Sequence, residues 1–144
     1  MGQALWLFSA AILLLLVSAC TQQATKDPFQ PVASVLQLHQ VMIDPASDVV
    51  FKGVETPADD AAWAAVRNSA VILAESGNLL MIAGRAKDTG DWMNHSRVLA
   101  EYGAAALRAA EKKDPDALLA AGDKIVAVCM DCHEKYRGGR KMGK

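Results

Sequence analysis

Aromatic side chains make up only 6% of this 144-residue chain, although apolar residues make up 52%. Alanine carries much of the difference. Strands draw on β-branched and aromatic residues, so this composition argues against a β fold and for helices packed closely through small side chains. Neither sign of charge is in excess: the formal net charge is −1, and nothing in that balance points to nucleic acid. Three cysteines are too few for a disulfide framework. Ligands for a zinc centre are equally short. Beyond Cys129, Cys132 and His133 the chain offers only Cys20, His39 and His95.

What is present is concentrated near the end, in Cys129-Met130-Asp131-Cys132-His133, followed by Glu134-Lys135-Tyr136-Arg137. Two cysteines separated by two residues, with histidine directly after the second, form the attachment pattern for c-type haem. Each thiol adds to one porphyrin vinyl group, and the spacing lets both sulfurs reach one edge of the ring. The histidine then lies under the ring, where a nitrogen binds iron as proximal ligand. A thioredoxin-type redox pair competes for the same residues. Such a pair opens a helix, where the dipole lowers a thiol pKa, whereas here it falls late in a long helical pattern.

Residues 1–19 read as a targeting segment. The apolar run Leu5–Val17 is shorter than the roughly 20 residues of a spanning helix and suits a signal h-region. Val17-Ser18-Ala19-Cys20 follows the bacterial lipoprotein pattern, which makes Cys20 the lipidated N-terminus of the mature chain. Ordinary cleavage after Ala19 is the alternative, and Met1–Ala4 lacks the customary Lys or Arg. Residues 20–31 are polar, contain Pro28 and Pro31, and read as a tether.

From Val32 the pattern is that of four helices. In the first, Val32, Val35, Leu36, Met42, Ile43, Ala46, Val49 and Val50 define one face, with His39 filling its gap and pointing inward. Pro45 is expected to kink this helix without ending it. Thr56-Pro57 with Asp59 and Asp60 predicts a capped start for the second, whose seam is Trp63, Val66, Ala70, Leu73, Gly77, Leu80 and Gly84. The glycines of that seam permit close approach, by a flat cofactor or by another helix. Asp88-Thr89-Gly90-Asp91 is a turn, followed by a stripe of Trp92, His95, Leu99, Tyr102, Ala106 and Ala109. Asp114-Pro115-Asp116 starts the fourth helix, which runs through the cysteine motif to Tyr136, where Gly138-Gly139 stops it. Short connections favour an antiparallel up-down-up-down bundle over 32–137, with a basic tail over 138–144. That topology brings His39, Met42, Met81, Trp92, Met93 and His95 to the end that holds His133.

An all-α bundle of this kind with C-x-x-C-H-x-x-Y-R near its end resembles the cytochrome c-prime type, the class II c-type cytochromes. The resemblance is carried by Cys129, Cys132, His133, Tyr136 and Arg137, and more loosely by Leu38–Asp48. It implies one covalent haem c near the C-terminus, attached through Cys129 and Cys132, with His133 proximal and Arg137 beside a propionate. Relatives often carry a ligating methionine where this chain has His39. Here the expected distal ligand is His39, with Met42 as the alternative, and imidazole in place of thioether lowers the potential. His95 is expected to be a wall residue.

The resemblance implies a periplasmic electron carrier, and no enzyme, when the iron is six-coordinate. It implies a protein binding NO or CO for sensing or sequestration when the distal position is vacant. A haem enzyme would need acid–base groups on an open distal side; His39 could serve, but no arginine accompanies it on the first-helix stripe. Lys135, Arg137, Arg140, Lys141 and Lys144 form either a solvated tail or a positive surface that steers an acidic redox partner. A homodimer is compatible with this reading.

Lipid at Cys20 would hold the chain on the periplasmic side of the envelope, at the outer membrane since Thr21 rather than aspartate follows; without lipid it would be soluble there. Each buried acyl CH₂ contributes about 0.8 kcal/mol. Cys20→Ser is therefore expected to release the domain from membranes or to block its processing. Recovery of the unaltered protein wholly in the soluble periplasmic fraction would remove the anchor from this reading.

Overall fold

The computed structural model describes residues 29–53, 55 and 57–137. The expected leader, Cys20, most of the tether, the Gly138-Gly139 stop and the basic tail lie outside the described residues, as do Val54 and Thr56. The described chain is helical, with no strand among the described residues. In order come α1 (Val35–Leu38), a π-helical turn (His39–Ile43), α2 (Asp44–Gly53), α3 (Asp60–Leu80), α4 (Asp91–Lys112) and α5 (Pro115–Tyr136). The first three run on without a break, so the described residues form four helices.

A capping box starts the first helix. Gln37 N donates to Ser34 Oγ at 3.2 Å, and Ser34 N donates to Gln37 Oε1 at 2.9 Å. The helix therefore begins at Val35, and Val32 is not on the buried face; it is 99% exposed. Pro45 does not end the helix, which continues to Gly53. Proline has no N–H to give the preceding turn and its ring crowds that turn. The π turn lies directly upstream, and in it the Asp44 N–H donates to the His39 carbonyl, five residues back. The turn shifts the phase of the apolar face. From its last residue onward Ile43, Ala46 and Val50 are buried as the periodicity requires, but upstream Leu38 is buried and Leu36 is exposed.

Asp59, not Thr56, caps α3: its backbone is extended and its Oδ1 accepts from Ala62 N at 2.8 Å. Pro57 precedes the helix rather than opening it. Asp114 caps α5 as the sequence implies, accepting from Ala117 N at 3.0 Å with Pro115 in the first position.

The α3 seam is buried from Trp63 through Val66, Ala70, Leu73 and Gly77 to Leu80. Gly84 is not part of it. That glycine stands in the α3–α4 connection at φ +87°, a conformation that side-chain-bearing residues rarely adopt. The close approach at Gly77 is a helix crossing: a Cβ there would fall 2.5 Å from the Ser96 carbonyl oxygen and 2.6 Å from Ala100 N. Gly103 makes the matching contact, its virtual Cβ lying 2.6 Å from Ala74 N. Further along the same pair of helices, Trp92 Nε1 donates to Leu80 O at 2.8 Å, and Asp60 pairs with Lys113. α4 also packs against α5, whose Leu118, Ile125 and Val128 complete the core, and α2 packs against α3. Among the described residues no helix is long and apolar enough to cross a membrane.

Gly77→Ala should destabilise the fold. Alanine normally gains up to about 1 kcal/mol over glycine within a helix, but here the added methyl meets backbone that cannot move independently. A net loss of about 1–3 kcal/mol is expected from overpacking. It would be read as a lower urea midpoint with an unchanged slope. A midpoint that rises would show that the crossing relaxes freely.

Candidate functional site

Cys129, Cys132 and His133 occupy the last turns of α5, and spacings of three and four residues put them on one helix face. Both thiols are free and half-buried. Burial pushes the Cys129 thiol up to about 11, with Cys132 and Asp44 adding to the shift. Burial raises the Cys132 thiol as well. Thioredoxin-type chemistry requires a depressed thiol pKa, and the C-terminal end of a helix disfavours the thiolate further. The redox-pair alternative thus lacks its chemical basis.

His39 approaches from the other end of the chain. Its ring centroid lies 5.4 Å from that of His133, with the planes inclined at 49°. The π turn carries it there, and Asp44, five residues on, places Oδ1 3.2 Å from His39 Nδ1. His133 is held below the ordinary histidine range, first by burial and then by His39 and Arg137, while Asp44 opposes the shift. A neutral imidazole keeps a nitrogen lone pair for a metal.

Both rings line a cavity of about 320 Å³. Val35 and Leu36 of α1 form one wall; Leu80, Trp92 and Tyr136 form the other, and Cys132 lies beside His133. Lys87 and Arg137 bring positive charge to the same cavity, and Arg137 Nη1 stands 3.5 Å from His133 Nδ1. A smaller adjoining space is lined by Cys129, His95, Ser96 and Leu99, and shares His39, Leu80, Cys132 and His133 with the larger one.

These residues fit a haem. The thiols and one imidazole share a helix face, a second imidazole faces them, the lining is largely apolar, and two cations, Lys87 and Arg137, line the same cavity. Leu36 is 66% exposed although it lines the cavity, an apolar surface that a flat apolar ligand would cover. Among the described residues no group of three or more His, Cys, Asp or Glu side chains is arranged to hold a metal ion by itself.

Of the residues expected around His133, His39, Trp92 and His95 are there. Met42, Met81 and Met93 line neither cavity. Met42 and Met93 pack against the core instead, and Met81 is the C-cap residue of α3. His95 has its ring centroid 6.4 Å from that of Tyr136, as a wall residue would. Lys135 is engaged with Asp91 at 2.7 Å, so within the basic run its charge is partnered; Arg140, Lys141 and Lys144 lie outside the described residues.

Three contributors escape the sequence reading. Asp44 is five residues from His39, a spacing that does not share a face in an α-helix. Asp88 reads as a turn residue, yet it accepts from Gly90 N at 2.9 Å, from Trp92 N at 3.0 Å and from the Tyr136 hydroxyl. The acid at two residues before Gly90 was the available signal for the first of these bonds. Lys87 carries no local signal at all. Comparison with protein-family models, curated proteins and solved structures finds no match for this chain.

The raised Cys129 thiol has a direct consequence. In haem-free protein the Cys129 thiol should be almost wholly protonated at neutral pH, and its alkylation by iodoacetamide should keep accelerating up to about pH 11. A rate that levels off near pH 7 would show an activated thiolate and restore the redox-pair reading.

Proposed function

We propose that this chain is a class II c-type cytochrome: an antiparallel up-down-up-down four-helix bundle that carries single electrons through one covalent haem c. Cys129 and Cys132 hold the group by thioether bonds, His133 is the proximal ligand and His39 the distal one. The observation that carries this reading is the 5.4 Å approach of His39 to His133, from opposite ends of the chain, beside both cysteines. The antiparallel arrangement is supported by the order of contacts between α3 and α4. Asp60 meets Lys113, Ala74 meets Gly103, and Leu80 meets Trp92, so that one helix ascends in number as the other descends.

When bound, haem supplies a one-electron iron couple. The residues of this chain set how it is used. His133 and His39, both held on helices, would bind the iron together, and such a pair would favour electron transfer over binding of an exogenous gas. Leu36, Leu80 and Trp92 give the cavity an apolar lining that would suit the ring. Arg137 and Lys87, which line the cavity, would pair with the haem carboxylates, and positive charge at that rim would suit an acidic redox partner. The leader and Cys20 expected from the sequence support a periplasmic location for this function.

The test is an absorption spectrum of the purified protein after extraction with acidified acetone. Haem should stay with the polypeptide, and the unaltered protein should be low-spin in both oxidation states. His39→Ala should turn high-spin and gain carbon monoxide binding. Haem lost to the solvent would refute covalent attachment. A high-spin unaltered protein that already binds carbon monoxide would give the gas-binding reading in its place.

A further inference from the structure

The two imidazoles at the cavity are backed by opposite charges. His133 Nδ1 faces the Arg137 guanidinium at 3.5 Å, whereas His39 Nδ1 faces the Asp44 carboxylate at 3.2 Å. The second contact exists because of a local departure from α-helical geometry. At about 100° per residue, side chains five apart on an α-helix diverge by about 140°. In the π turn the hydrogen-bonded repeat is itself five residues, and the Asp44 N–H donates to the His39 carbonyl. Residue 44 is thereby brought under residue 39, and both line the cavity.

We propose that Asp44 is the positioning residue for His39 as an axial ligand, an inference that rests on the haem reading above. Its carboxylate accepts the Nδ1 proton, which commits the ring to the tautomer whose Nε2 carries the free lone pair. It also strengthens that nitrogen as a donor, as a carboxylate behind a ligating histidine does at metal sites. Asp44 is 64% exposed at its side chain, so water screens its effect at a distance; what acts is the direct bond. The backbone does not depend on that side chain. The π turn is closed by the Asp44 amide, and Ser47 Oγ donates to the Asp44 carbonyl at 2.9 Å, both of which survive substitution.

The experiment uses the haem-loaded protein and the variants Asp44→Ala, Asp44→Asn, Asp44→Glu and His39→Ala, read by spectrum, midpoint potential and carbon monoxide affinity of the ferrous form. Asp44→Ala should raise carbon monoxide affinity about 10–100-fold, since the weakened His39 is displaced more easily. Its potential should rise, because a poorer donor stabilises ferric iron less. Asp44→Asn, which keeps an acceptor oxygen but no charge, should fall between, and Asp44→Glu should recover part of the difference. A merely structural role for Asp44 would leave potential and affinity unmoved in the folded Asn variant. If Asp44→Ala and Asp44→Asn match the unaltered protein while His39→Ala turns high-spin, the role of Asp44 is overturned and ligation by His39 stands. If His39→Ala itself stays low-spin, ligation by His39 fails, and the positioning role fails with it.

Discussion

Asp88, in the connection between α3 and α4, ties three helix ends together at the cavity. It accepts from the Gly90 and Trp92 amides, which sets the first turn of α4, and from the Tyr136 hydroxyl in the last turn of α5. Trp92 in turn donates its indole N–H to the Leu80 carbonyl at the end of α3 and packs edge-on against Tyr136, with ring centroids 5.0 Å apart. The Tyr136 bond, followed by the Trp92 amide, holds the Asp88 carboxyl below its usual range, so it is ionised at neutral pH and at its best as an acceptor. His133 stands three residues before Tyr136. Its position beside His39 follows from where this carboxylate pins the end of α5.

Elsewhere the bundle divides its space unequally. Gly77 and Gly103 let α3 and α4 approach until backbone meets backbone, and alanines fill much of that seam. Between the first helix and α5 the contact is slight, and the cavity opens there. A chain with so few aromatic residues builds a close seam easily and fills a wide gap poorly. Dry, tight packing on one side and an apolar cavity on the other suit a protein that supplies one wall of its core with a bound group, as the proposed haem would.

The chemistry of the cavity narrows what it can do. A half-buried thiol near pKa 11 is a poor nucleophile and a poor redox partner in its free form. A half-buried imidazole pushed below its usual range is a poor general acid at neutral pH but retains a lone pair. Neither property favours catalysis by the side chains alone. Both are compatible with residues whose task is to hold an iron-bearing group, and the π turn that presents His39 with Asp44 behind it is the kind of local irregularity often found at functional sites.

Much of this was written into the chain locally. Small residues and apolar stripes at intervals of three and four determined four helices, because that period is a property of each segment alone. Asp114-Pro115 determined where α5 starts, and Cys129, Cys132 and His133 share a face by their spacing within one helix. Other features depended on competition between neighbours. That Asp59 caps α3, and that the first helix starts only after Ser34 and leaves Val32 exposed, depended on which side chain reached which amide. His39 was already expected near His133 from the sequence, with Met42 as the alternative. The tertiary structure brings the His39 ring beside His133 while Met42 lines neither cavity, and it alone brought in Asp44 and Asp88. The reason is physical: the π turn is a single change of hydrogen-bond repeat from four residues to five, and a hydrogen bond from Tyr136 to Asp88 spans 48 residues. Neither leaves a periodic trace, so neither could be read before the helices were brought together.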